Sequence, residues 1–207
     1  MFKILEKEYF SPKVVRLEVE APLIARSRRA GHFVIVRCGD KGERIPLTIA
    51  DSDVERGIIT LVVQAVGEST TAICALEPGD CLTDVVGPLG QATHIARFGT
   101  VVCCGGGVGV APLLPIIKAM KEAGNRVVSV LAARTKDLII LEDQVREYSD
   151  ELIIMTDDGS YGQKGLVTQG VEQVILREHV DMTVTIGPAI MMKFVSLLTK
   201  KYDVPTM

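Results

Sequence analysis

The sequence predicts two successive folds in one chain, a small antiparallel β-barrel followed by a parallel α/β domain. Three observations carry this prediction. Residues 1–95 read as short β-rich runs separated by closely spaced turn residues. From Gly99 onward, strand-like runs alternate with helical ones, the pattern of a parallel sheet covered on both faces. A glycine cluster at residues 105–109 stands where the first of those strands turns into the first of those helices.

In the first half, Val15, Leu17 and Val19 alternate with Arg16 and Glu18, the period of a half-buried strand. Residues 32–37, 46–50 and 58–66 follow as strands, with turn signals at Asp51-Ser52-Asp53 and Arg56-Gly57. Glu77-Pro78-Gly79-Asp80 is a strong turn, and residues 81–86 form a strand ended by Gly87-Pro88-Leu89-Gly90. About six strands at this spacing predict a six-stranded antiparallel barrel, interrupted by one short helix over residues 69–76.

In the second half, residues 100–104 are a buried-type strand. Residues 112–123 are an amphipathic helix, with Leu113, Leu114, Ile116, Ile117 and Met120 on one face and Lys118, Lys121 and Glu122 on the other. Pro112 suits its first turn and Gly124 its C-terminal stop. Strands over 126–132, 152–156 and 183–186 then alternate with helices over 141–148, 166–176 and 189–200. Only residues 202–207 remain after the last helix. A fifth strand is therefore either very short or part of a longer form of the chain. The boundary between the two domains is placed at residues 95 and 96.

The bulk composition narrows the function. Formal net charge is −3 over 207 residues, with no basic stripe to track a phosphate backbone, so no nucleic-acid partner is expected. The first residues hold no apolar signal-peptide core, and no apolar run nears the about 20 residues that span a bilayer. A soluble, cytoplasmic protein with no membrane partner is expected. Cys38, Cys74, Cys81, Cys103 and Cys104 are odd in number and contain no Cys-x-x-Cys pair, so they imply neither a disulfide framework nor a metal site. His32, His94 and His179 are scattered without ligand spacing.

The strongest local signal is Gly105-Gly106-Gly107-Val108-Gly109 leading to Pro112. A glycine-rich turn from strand to helix lets backbone approach a pyrophosphate, and the helix N-terminus supplies free N–H groups. The same turn also suits plain close packing. A second anion site is read at Gly67-Glu68-Ser69-Thr70-Thr71, where hydroxyls can donate to phosphate; an ordinary helix cap is the plainer reading. A third candidate is Arg44-Ile45-Pro46-Leu47-Thr48, with Arg44 suited to a diphosphate and Thr48 to a flat heterocycle. Taken alone, Arg44 also reads as a solvated strand-edge arginine. Asp157 and Asp158 end the third strand of the second half, and Gly187-Pro188 the fourth. Parallel sheets bind ligands beyond the C-terminal ends of their strands, so these loops point at one crevice. Asp157 and Asp158 fit a simple turn equally well.

Together these motifs resemble the ferredoxin–NADP reductase superfamily over essentially the whole chain. The order is an R-x-P-x-[ST] flavin motif at Arg44, Pro46 and Thr48, then a G-x-[ST]-T phosphate motif at Gly67, Ser69 and Thr70. A G-G-G-x-G-x-A-P nicotinamide loop follows at residues 105–112, then the Gly187-Pro188 turn. Residues 44–51 and 187–193 look like the small flavoprotein subunits of NADH-dependent ferredoxin:NADP oxidoreductase, also called sulfide dehydrogenase. The electron-transfer subunit of dihydroorotate dehydrogenase is the nearest rival.

The resemblance implies a flavin-binding barrel over 1–95 and a nicotinamide-binding domain over 96–207, together carrying electrons between a nicotinamide dinucleotide and iron–sulfur centres or ferredoxin. It implies FAD as flavin and a larger iron–sulfur or flavin oxidoreductase subunit as partner. Both rival groups carry a C-terminal cysteine cluster for a [2Fe–2S] centre. No cysteine follows Cys104, so that centre is expected only in a longer form. A cysteine that many members place before the Gly-Pro turn is Ile186 here. Arg134 and Lys136 follow the second strand of the α/β half, where cations suit the 2′-phosphate of NADP(H); the resemblance favours NAD(H). Hydride transfer requires no acid, base or nucleophile from the protein, and no catalytic side chain is assigned. Two other classes stand beside this reading: a non-catalytic nucleotide sensor or scaffold, and a thiol redox role for Cys103 and Cys104.

Overall fold

The first half pairs as β1 (Phe2–Ser11), β2 (Val14–Glu20), β3 (Phe33–Arg37), β4 (Ile45–Asp53), β5 (Ile58–Gln64), β6 (Cys81–Leu82) and β7 (Asp84–Leu89). A computed structural model describes residues 1–207, which divide into two units, Met1–Thr93 and His94–Met207. In the first unit the strands run antiparallel in the order β6-β1-β2-β5-β4-β3-β7. β6 and β7 lie at opposite ends of that order, yet only Thr83 separates them in the chain. One continuous segment therefore pairs with both edges: Leu82 faces Phe2 on β1, and Asp84 faces Arg37 on β3. This shared segment closes the sheet into a barrel and removes its free edges.

The barrel thus has seven strands where six are expected, partly because residues 81–86 break at Thr83 and change partners. β1 is a further departure. It has no apolar alternation to reveal it: Ile4 is its one buried residue, while Leu5 and Tyr9 are exposed. The short helix α1 (Pro22–Ser27) is likewise unannounced; Pro22 fits its first turn, and Ile24 and Ala25 enter the barrel core. The helix expected over 69–76 is α2 (Glu68–Cys74). Val15, Leu17 and Val19 are buried as their alternation predicts. Glu18 is buried as well, held between Arg16 and Arg56 rather than solvated.

The second unit follows the β–α alternation: β8 (Thr100–Gly106), α3 (Val110–Glu122), β9 (Arg126–Ala133), α4 (Glu142–Glu147), β10 (Glu151–Thr156), β11 (Gln163–Lys164), α5 (Val167–Arg177), β12 (Met182–Ile186) and α6 (Ala189–Lys201). The sheet is parallel in the order β11-β10-β9-β8-β12. Val102, Cys104, Val128 and Val130 pack against Val167, Val171 and Val174 of α5 and Val195 of α6. Gly105 faces the other side, toward Leu113 and Val110 of α3. Beyond β12 the chain pairs once more: Thr183 N–H donates to the Pro205 carbonyl, and Thr185 N–H to that of Met207 (2.8 and 2.9 Å). The expected fifth strand is thus represented by a very short parallel bridge, and β11 adds an edge strand at the opposite side. No helix is long and apolar enough to cross a membrane.

Candidate cofactor sites

The first candidate site is built on the barrel. Arg44 stands just ahead of β4, and Pro46, Leu47 and Thr48 lie on that strand opposite Ile35, Val34 and Phe33 of β3. Leu47 packs on the barrel core, Thr48 is half-buried and Pro46 is exposed. The Arg44 guanidinium donates to Asp84 Oδ2 at 2.7 Å, and its side chain is 59% exposed. Its remaining N–H groups leave donors for a ligand. Glu43, the residue before it, accepts a hydrogen bond from Ser69 Oγ at 3.2 Å. The fold thereby brings the Arg44 and Gly67–Thr71 motifs together, although they lie far apart in sequence.

Within the second motif the residues divide. Thr70 Oγ1 accepts from the N–H groups of Val66 and Gly67 (3.0 Å each) and donates to the Gly67 carbonyl, so its hydroxyl is engaged in capping α2. Thr71 is exposed. Gly67 has an ordinary extended backbone (φ −151°), and a Cβ built there meets nothing within 4 Å. Neither conformation nor packing calls for glycine at this position, which leaves room for a ligand to approach the backbone. The residues present therefore fit a phosphate-bearing flavin. Gly67→Ala should change unfolding free energy by about 1 kcal/mol or less, since only the cap is touched. It should weaken FAD binding about tenfold or more by filling the space before the turn. Denaturant titration and fluorescence quenching of FAD measure the two effects.

The second candidate site is on the parallel sheet. β8 ends at Gly106, residues 107–109 make one 3-10 turn, and α3 begins at Val110, with Pro112 in its first turn, where a missing N–H costs nothing. The glycines here serve different ends. A Cβ at Gly109 would lie 2.6 Å from the Ile186 carbonyl oxygen and 2.7 Å from Gly187 Cα. At Gly106 it would meet Met191 Sδ at 2.4 Å, and at Gly187 it would meet Met191 Cε at 2.7 Å. The loop after β8 and the Gly187-Pro188 turn after β12 thus pack backbone against backbone. Gly107 alone in this cluster has a left-handed φ of +55° with open space before it. The packing reading holds for Gly106, Gly109 and Gly187; Gly107 is the one glycine that leaves room for a pyrophosphate.

The loops after β9 and β10 are tied together beside it. Asp158 N–H donates to the Arg134 carbonyl at 3.3 Å, and Lys136 N–H to Ser160 Oγ at 2.9 Å. The Lys136 ammonium lies 5.3 Å from the centre of the Tyr161 ring. Asp158 accepts from Ser160 N–H at 2.9 Å, and hydrogen bonds from Ser160 hold its carboxyl below the usual range. Its carboxylate is engaged in its own turn, as the plainer sequence reading has it. Arg134 and Lys136 are both exposed at this end of the sheet. No group of three or more His, Cys, Asp or Glu side chains could hold a metal ion.

Cys103 and Cys104 are fully buried and, as neighbours on a strand, point to opposite faces of the sheet. Burial pushes the Cys103 thiol up strongly and that of Cys104 up to about 12. Both thiols should resist alkylation in the folded protein, reacting only as the chain opens; mass-spectrometric labelling checks this. The sign of the pH effect follows from linkage. The unfolded chain sheds these protons near the ordinary value of 9.0, while the folded chain keeps that of Cys104 to about 12 and that of Cys103 at least as firmly, so stability falls as pH rises above about 9.

Comparison with known proteins agrees with this geometry. Residues 103–197 match the family model of the oxidoreductase NAD-binding domain. A dihydroorotate dehydrogenase B (NAD(+)) electron transfer subunit homolog of Thermotoga maritima is 43% identical over 203 residues, covering 98% of this chain and 72% of that protein. The electron transfer subunit of Desulforamulus reducens is 34% identical over 212 residues, covering 98% of this chain and 79% of that one. A chain of the NADH-dependent reduced ferredoxin-NADP oxidoreductase superposes with a TM-score of 0.94 at 42% identity, covering all of this chain and 74% of its own. Phthalate dioxygenase reductase shares the fold at 19% identity and a TM-score of 0.78, covering all of this chain and 66% of its own. The chain belongs to the ferredoxin–NADP reductase superfamily, among the dihydroorotate dehydrogenase B electron-transfer subunits and their homologues.

Proposed function

We propose that this chain is a flavin-dependent oxidoreductase subunit that carries electrons between a nicotinamide cofactor and iron–sulfur centres or ferredoxin. The observation that carries the proposal is the open backbone at Gly67, brought beside Arg44 through the Ser69–Glu43 contact. FAD is the flavin and residues 1–95 hold it. Arg44 offsets diphosphate charge, Ser69 turns its one hydroxyl donor from Glu43 to the phosphate, the Gly67 backbone lets phosphate approach, and Thr70 holds that turn in shape. Pro46, Leu47 and Thr48 orient the ring system. Residues 96–207 hold the dinucleotide: Gly107 and the start of α3 receive its pyrophosphate, with Gly105, Gly106, Gly109 and the Gly187-Pro188 turn shaping the seat. When bound, flavin takes up two electrons as a hydride and releases them singly; the chain supplies binding and orientation.

NAD(H) is the proposed dinucleotide, because the names of the Thermotoga and Desulforamulus relatives carry NAD(+). Arg134 and Lys136 pull toward NADP(H), since two cations suit a 2′-phosphate. The partner is a larger iron–sulfur or flavin subunit in the cytoplasm. The same relatives' names support a second reading, electron delivery within a dihydroorotate dehydrogenase. The test is a visible spectrum of the protein reconstituted with FAD, before and after anaerobic NADH and, separately, NADPH. A bound-flavin band at about 450 nm that NADH bleaches supports the proposal. Failure to retain FAD, or a bound flavin that neither donor reduces, overturns it and favours a nucleotide sensor.

A further inference from the structure

Asp84 joins two arginines at one end of the barrel. Arg37 ends β3 and stands in register with Asp84 at the start of β7. The antiparallel register that sets Val36 against Ile45 brings Arg44 to the level of Arg37 on the other side. Two guanidinium groups on neighbouring strands repel. Asp84 Oδ2 meets both: it accepts from Arg44 at 2.7 Å and lies 2.8 Å from Arg37 Nε, the latter an ion pair too bent to be a hydrogen bond. Arg37 is anchored in turn by donating to the Asp40 carbonyl at 2.9 Å.

The exposures rank the members of this row. Arg37 and Asp84 are largely covered (19% and 26% of each side chain exposed), whereas Arg44 is 59% exposed. The covered pair is the fixed end, and Arg44 hangs from it into solvent. With two positive groups and one negative, the row keeps a net positive charge for an anion.

We propose that Asp84 is a positioning residue that aims Arg44 at the phosphates of the bound flavin nucleotide. This rests on the flavin reading above. Two opposed effects set its sign. Asp84 offsets part of the Arg44 charge, which weakens anion binding. It also holds a long, exposed side chain in one orientation, so less conformational freedom is lost when the ligand arrives. Solvent screens the first effect more than the second, because the hold on Arg44 is a short hydrogen bond of 2.7 Å to a largely covered carboxylate.

The experiment measures dissociation constants for FAD, FMN and riboflavin with the wild-type chain, Asp84→Asn, Arg44→Ala and the double variant, with thermal midpoints recorded throughout. Asp84→Asn should weaken FAD and FMN about tenfold, leave riboflavin unchanged for want of a phosphate, and have no further effect in the Arg44→Ala background. Asp84→Glu, which keeps the charge, should restore part of the affinity; Asp84→Ser, which removes it, supplies the same comparison as Asp84→Asn if that variant does not fold. Unchanged or tighter FAD binding by Asp84→Asn overturns the proposal, as does equal weakening of FAD and riboflavin. A wild-type chain that binds no flavin sinks the flavin reading and this inference together, whereas a flavin-binding wild type with an indifferent Asp84 sinks only the latter.

Discussion

Alanine at Gly109 should lower the unfolding free energy of the His94–Met207 unit by about 3 kcal/mol, the upper end of what overpacking costs. The added carbon would press on the Ile186 carbonyl oxygen at 2.6 Å and on Gly187 Cα at 2.7 Å. Both are backbone atoms, and β12 holds them in register with β8, where Ile186 faces Gly105. A flexible side chain could swing aside; a strand end cannot without breaking its ladder. Denaturant unfolding of Gly109→Ala reads this directly. Gly107→Ala is the control on the same loop. It meets no atom within 4 Å and carries only the strain of its +55° φ, about 1–2 kcal/mol. Gly107→Ala should therefore stay folded while losing dinucleotide affinity, and Gly109→Ala should lose stability first. Equal stability of the two variants would contradict the division of roles among these glycines.

Arg44→Ala should weaken FAD binding about thirtyfold, the equivalent of about 2 kcal/mol from charge-assisted hydrogen bonds to a diphosphate. Stability should change little, because Arg44 is exposed and Asp84 keeps its pairing with Arg37. Arg44→Lys should recover only part of the loss, since an ammonium lacks the planar fork of donors. Binding by the wild type should weaken with added salt, and binding by Arg44→Ala should depend on salt less steeply. Isothermal titration across a salt series measures all of these. An Arg44→Ala chain that binds FAD as well as the wild type would place the diphosphate elsewhere.

The α/β half was legible from the sequence because its elements are set by local pattern. The 3.6-residue period of residues 112–123, observed as the helix Val110–Glu122, and the glycines beside it are signals within a few turns of chain. The order of the motifs at Arg44, Gly67, Gly105 and Gly187 was likewise readable, and it points to the superfamily that the relatives support. β1 and α1 were not, because most of β1 faces solvent and α1 is only six residues long.

What the sequence by itself determined is therefore the succession of barrel and parallel sheet and the residue types offered to a cofactor. Tertiary structure alone decided how the barrel closes, through a segment that changes partners at Thr83, and which residues share a site. It set Ser69 against Glu43, gave Thr70 to the cap of α2, and gave Gly109 to the turn after β12 while leaving Gly67 and Gly107 open. The physical reason is range. Periodicity and turn chemistry act between neighbours in the chain, whereas closure, ion-pair sharing and backbone-to-backbone contact depend on residues tens of positions apart, which meet only once the chain has folded.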